Sequence, residues 1–280
     1  MNKQNTKRPR PFRILGEYSS QIRAFSPNAR FYLLNVILTG LVMGGFRLIF
    51  NFYVLSLGFD EALLGNLITT SSFVALIAAL PLGFLADIIG RKGSLVLSGA
   101  LLSISILVMA LWRTEASFYS MNVLSGIAQS LAGVTMSPFL MENSNEKERT
   151  YLFSFGQGLQ MTMASVGNWV GGYLPTWMGN AKHVIATSST AYGNSILLIG
   201  IGAALAIIPL VFLTSPKLAH SQRAIFTPFQ YAAKNPLLLT KLILPMLLTS
   251  LGAGLVMPFM NVFFRQVHHQ PDPVIGTLFA

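Results

Sequence analysis

Long apolar stretches set the rhythm of this chain. Seven of them, at 31–57, 62–87, 94–112, 116–141, 151–175, 194–214 and 236–264, are separated by short polar segments, and an eighth begins at Pro273. Each is close to or above the ~20 residues with which a helix crosses a hydrocarbon core. A helix is the form such a stretch takes there, because it satisfies its own backbone hydrogen bonds where no water can. The pattern predicts an all-α membrane protein with about seven transmembrane helices plus the start of an eighth.

Composition points the same way. Only 10% of the 280 residues are charged and 52% are hydrophobic, whereas a soluble chain carries about 25% charge. The charges that remain are unevenly placed. Fourteen of the 19 Lys and Arg lie in the N-terminal arm and in the segments after the second, fourth and sixth runs, and Lys241, in the first turns of the seventh run, joins them on that side. Three, Arg113, Lys182 and Arg265, fall on the alternate side, and Arg47 belongs to no loop. The positive-inside bias then puts a basic arm, residues 1–30, in the cytoplasm and makes the chain a multi-pass protein of the cell membrane. No A-x-A-like cleavage site follows the arm, so a removed signal peptide is not expected. A formal charge of +10 is accounted for by a basic face against anionic lipid, and no nucleic-acid partner is needed to explain it. Cysteine is absent, which removes disulfides, thiolate metal sites and cysteine nucleophiles.

An internal repeat organises the runs. Shifted by 210 positions, LTGLVMGGFRLIFN (38–51) falls on LTSLGAGLVMPFMN (248–261), pairing Leu38 with Leu248, Thr39 with Thr249, Leu41 with Leu251, Gly44 with Gly254 and Asn51 with Asn261. With one gap, LGNL (64–67) falls on IGTL (275–278). The seventh run reads as a second copy of the first. The expected organisation is a six-helix bundle over 31–214, a polar cytoplasmic linker over 215–235, and over 236–280 the start of a second six-helix half. A complete chain of that plan would hold on the order of 400 residues, so the second half is expected to be truncated.

Between the second and third runs stands GFLADIIGRKG (83–93), which gathers three charges in a chain that has few. It resembles the cytoplasmic loop motif of the major facilitator superfamily, G-x-x-x-D-R-x-G-R-R/K. Gly83, Asp87, Gly90, Arg91 and Lys92 stand at matching positions, and Ile88 replaces the family's first Arg. MENSNEKER (141–149) carries Glu142 and Arg149 where the family has an acid and a basic residue at the fourth helix's cytoplasmic end. The resemblance covers the chain from about residue 31. It implies a helical bundle of two halves and a loop cluster that latches the halves on the cytoplasmic side. Physically, Gly83 would permit close helix approach, Gly90 a tight turn, Asp87 a cap on a neighbouring helix, and Arg91 a charge-assisted bond to Glu142. A solvated capping loop is the alternative reading of the same residues.

Other signals carry less. GNWVGG (167–172) is similar to the end of the family's antiporter motif, but Asn168 stands in place of its proline, and Gly167 with Gly171 reads equally as a helix-packing pair. In the fourth run Asn122 stands where proton-coupled drug exporters of the family carry Arg, four residues before Gly126. GIGAAL (200–205) lies inside an apolar span with no preceding strand, so it reads as helix packing. His268 and His269 are neighbours in a loop, and a metal site is not expected. No Ser/His/Asp set or carboxylate pair lies at one membrane depth. No enzyme and no cofactor are predicted.

The two-half plan implies a site near the midplane. On the first run Met43, Arg47, Phe50, Asn51 and Val54 share a helical face. Asn122, Ser125 and Gln129 line the fourth, Gln157 and Gln160 stand on the fifth, and Asn261 on the seventh. These amides could equally bond helix to helix. For Arg47 three partners are open: a carboxylate from the second half, backbone carbonyls and amides such as Gln129, or an anionic group of a solute. The reading is a carrier of a small anionic or amphipathic solute, with the bilayer, the solute and a coupling ion as partners. A receptor-like or lipid-interacting member without a transported substrate is the alternative.

Overall fold

The computed structural model describes residues 25–214 and 234–280, and all regular elements among them are helical. Most of the expected basic arm and linker lies outside the described residues. Short polar side chains decide where helices begin. Ser26, Asp60, Thr114 and Ser188 each accept a hydrogen bond from the backbone N–H three residues on, filling a donor that a helix start leaves open. They open α1 (Pro27–Ser56), α2 (Glu61–Leu111), α3 (Glu115–Glu142) and α5 (Ser189–Leu205). Helix α4 (Glu146–Lys182) begins instead with Glu146 and Glu148 in its first turn, where negative charge suits the helix dipole. The short α6 (Ile208–Val211) follows, then α7 (Pro236–Val256), α8 (Met260–Gln266) and α9 (Asp272–Leu278).

At 51 residues, α2 would be about 75 Å long if straight. It is not straight. Gly90 interrupts it at φ 81° and ψ 162°, a conformation that glycine adopts without a Cβ clash. Packing against α3 shows what the interruption does. Ser71 and Ala75 of the first arm lie against Gly126 and Ser130, so that arm runs parallel to α3. Met109 of the second arm meets Asn122 while Arg91 meets Glu142, so that arm runs antiparallel. The chain therefore reverses at Gly90, and the expected second and third runs are two arms of one element. Among the described residues, five helical stretches are long and apolar enough to cross a membrane: α1, α2, α3, Ser189–Val211 and Pro236–Gln266. The longer, more polar α4 is not among them.

Two units make up the described chain, one of residues 25–214 with 272–280 and the other of 234–271. In the first, α1 and α4 run parallel at backbone contact. A Cβ on Gly44 would strike the Ala164 carbonyl, one on Gly167 the Leu41 carbonyl, and one on Gly171 would come within 2.8 Å of Gly45 Cα. Small residues let helix backbones meet this way in lipid. The Gly167/Gly171 pair of GNWVGG thus serves helix packing. Helix α5 runs antiparallel to α1 and to the second arm of α2, with Asn35 Nδ2 donating to Ala206 O at 2.7 Å and Ser103 Oγ to Gly200 O at 3.1 Å. One end of the bundle is closed by a polar knot. There Asn28 Nδ2 donates to Asn143 Oδ1 (2.7 Å) and Thr214 O (2.9 Å), and the Thr214 N–H donates back to Asn28 Oδ1.

In the second unit α7 has no buried residue. Its sequence repeats that of α1, yet the helix breaks into a 3-10 turn at Met257–Phe259 where α1 continues. Pro258 occupies the position of Leu48, and proline cannot supply the N–H that an α-helix interior requires. Residues 272–280 pack on α4. Gly172 and Gly276 meet there, a Cβ on Gly276 falling 2.9 Å from Gly172 Cα. If backbone contact holds α1 to α4, Gly44→Val should lower the melting temperature of purified protein sharply, at a cost of about 3 kcal/mol or more. Gly133→Ala, where an added Cβ meets nothing within 4 Å, should leave it unchanged.

Candidate functional site

The Gly90 reversal creates the first candidate site. Asp87 closes the last turn of one arm and Arg91 opens the next, so their side chains meet, with Arg91 Nη1 at 2.8 Å from Asp87 Oδ1. Glu142, the last residue of α3, arrives from the other side, and Arg91 Nε donates to its Oε1 at 3.1 Å. One guanidinium thereby ties both arms of α2 to the end of α3. Its planar fork suits two carboxylates where an ammonium would not. Arg91 is largely shielded, while the Asp87 carboxylate is half-exposed. Ser94 Oγ donates to the Gly90 carbonyl at 2.8 Å.

The remaining motif residues divide. A Cβ on Gly83 would touch nothing within 4 Å among the described residues of its own unit. Asp87 pairs with Arg91 across the reversal. Lys92 is half-buried beside the cluster in sequence. Arg149 stays apart, its Nε buried without a hydrogen bond, because it sits in the opening turns of α4. Ile88 is exposed.

Polar side chains of the second candidate site do not behave alike. Arg47, Gln129, Gln157 and Gln160 are exposed, whereas Phe50, Asn51, Asn122, Ser125 and Asn261 are buried. Phe50 stacks on Phe46 and meets the edge of Phe118 of α3 at 6.2 Å, so it packs α1 on α3 instead of presenting an open aromatic wall. Asn122 Nδ2 donates to Phe118 O at 2.9 Å and approaches Met109 Sδ at 3.7 Å, which makes it a helix-packing amide. Gln129 Nε2 donates to Ser125 Oγ one turn back, at 3.1 Å. Arg47 has no carboxylate partner among the described residues. Asn51, one turn on, is buried and has a partner of its own. Asn261 lies in the second unit, immediately after the break at Met257–Phe259, and its Oδ1 accepts from the Val262 N–H.

Sequence reading missed one constellation. At the bundle end opposite the Gly90 reversal, Tyr192 of α5 donates to Asp272 of α9 at 2.5 Å, and both are buried. The residues stand 80 positions apart, and an acid at the start of a helix reads locally as a dipole-matching residue. No pattern in the chain joins them.

Bilayer-length apolar helices and polar groups turned inward at helix ends define a multi-pass membrane protein. Residues 32–280 match the family model of the Major Facilitator Superfamily. The chain belongs to that family of membrane transporters. Comparison with curated proteins finds no match.

If Arg91 binds both acids as a unit, Arg91→Ala and Glu142→Gln should be non-additive. Each should cost no more than about 1 kcal/mol of stability for a partly exposed pair, and the double variant should melt close to the worse single one. Additive losses would show that the 3.1 Å contact carries no coupling.

Proposed function

We propose that this is a secondary active transporter that carries a small anionic or amphipathic solute by alternating access of two six-helix halves. The N-terminus faces the cytoplasm and the site lies between the halves. The observation that carries the reading is Arg47. It is exposed in the middle of an apolar 30-residue helix, with no carboxylate partner among the described residues. A cation at such a depth costs about 2.5–3.5 kcal/mol on insertion scales and is kept where it faces a watery cavity or a partner. Exposed Gln129, Gln157 and Gln160 on α3 and α4 add neutral hydrogen-bonding groups to the same unit. A carboxylate or phosphate on the solute would supply the charge that Arg47 lacks, held by the planar fork of the guanidinium. The Asp87–Arg91–Glu142 cluster acts in this reading as the cytoplasmic latch. It is remote from Arg47 along the helices and therefore controls rate, not recognition. A coupling ion drives the cycle.

Reconstitution in liposomes with a panel of radiolabelled organic anions, organic cations and neutral solutes tests the reading. Flux of an anion should be abolished by Arg47→Met and partly restored by Arg47→Lys. A cationic substrate, or wild-type flux in Arg47→Met, would refute it. Absence of flux for the whole panel would favour a receptor-like role.

The latch has its own signature. Asp87→Asn and Arg91→Ala should slow transport strongly while leaving the apparent affinity within a few-fold of the parent, as measured by flux and by binding in parallel. An equal loss of affinity would place these residues in the recognition machinery instead.

A further inference from the structure

We infer that Tyr192 and Asp272 form a second latch, at the end of the bundle opposite the Gly90 reversal, which holds α9 against α4 and α5 and parts when that end opens. Tyr192 is 0% exposed and Asp272 7%, and the phenol hydroxyl donates to Asp272 Oδ2 at 2.5 Å. A buried carboxylate is costly unless its lone pairs are satisfied, so this bond specifies where α9 docks. Its donor is held in place by the first bundle. The Tyr192 ring lies 6.3 Å from that of Phe52 on α1, and a Cβ on the adjacent Gly193 would come within 2.9 Å of the Arg113 guanidinium.

The rest of the contact is slight and smooth. Gly172 and Gly276 cross at backbone distance, Ile275 is buried beside them, and Asn168 Nδ2 donates to Phe279 O at 2.9 Å. Interdigitated large side chains would leave a void on parting. Two facing glycine surfaces leave little, and the polar groups of the two hydrogen bonds, on Tyr192, Asp272, Asn168 and Phe279, can be hydrated on parting. By the internal repeat α9 begins the second copy of the second run, whereas α4 and α5 belong to the first half. The bond therefore links segments that alternating access must bring together and separate. In that sense the inference rests on the proposed transport cycle, but its test needs no substrate.

The chain has no cysteine, so a single introduced thiol reports without background. In the protein reconstituted in vesicles, Ile275→Cys, buried under the contact, should react slowly with a membrane-impermeant maleimide. Adding Tyr192→Phe removes a hydrogen bond to a charged acceptor and should raise the labelling rate about tenfold. Asp272→Asn keeps an oxygen acceptor and should raise it less. A second reporter, Leu131→Cys in the core of α3, should stay unreactive throughout. No change with Tyr192→Phe, or an equal rise at both reporters, would overturn the latch. Loss of solute flux with the labelling pattern intact would count against the transport reading while leaving the latch standing.

Discussion

Lipid tails are as apolar as leucine, so burial of side chains does not by itself hold one membrane helix to another. What holds this bundle is direct approach of backbones where side chains are missing. Gly40, Gly44 and Gly45 of α1 face Gln160, Ala164, Gly167 and Gly171 of α4, and a Cβ on Gly44, Gly167 or Gly171 would strike the facing backbone. That seam fixes the rotation of α1. With the glycine face against α4, Asn35 and Val42 turned to α5 and Phe50 turned to α3, Arg47 is left on the exposed side. The position of the candidate anion-binding cation is thus a consequence of where α1 carries no side chains.

The two ends of the bundle are fastened by different chemistry. Near the Gly90 reversal the fastening is ionic and partly hydrated, with Arg91 between two acids, and neighbouring segments are joined by the Asn28, Asn143 and Thr214 knot. Partly exposed ion pairs are weak individually. At the opposite end the fastening is dry and aromatic. Tyr53 donates to the carbonyls of Met109 and Ala110, and Phe118 gathers Phe50, Tyr53 and Phe59 around it. Tyr192 and Asp272 belong to this drier environment, where losing one hydrogen bond costs more because no water stands ready to replace it.

Much of this was legible in the chain because it depends on local chemistry. Run length and hydropathy foretold helices, since a backbone in lipid has few other ways to satisfy its donors. Gly90 announced a turn because only glycine takes its backbone angles without strain. The Arg91 to Glu142 approach was readable too, through the resemblance of both segments to the family's motifs.

Tertiary structure decided the rest, because it turns on which helix face meets which neighbour. Asn122 and Arg47 look alike in sequence, as polar residues in apolar runs, yet one packs helices and the other stands exposed. Gly83 has the spacing of a contact glycine and a Cβ there would touch nothing within 4 Å among the described residues of its own unit, while Gly276 turns out to cross Gly172. The repeat made α1 and the seventh run equivalent, but Pro258 breaks the second copy where Leu48 lets the first continue. Tyr192 and Asp272 meet only because glycines on α4 and α9 let two backbones close to contact. A sequence records the chemistry that each residue carries along with it; the distance between residues 80 positions apart exists only once the helices have packed.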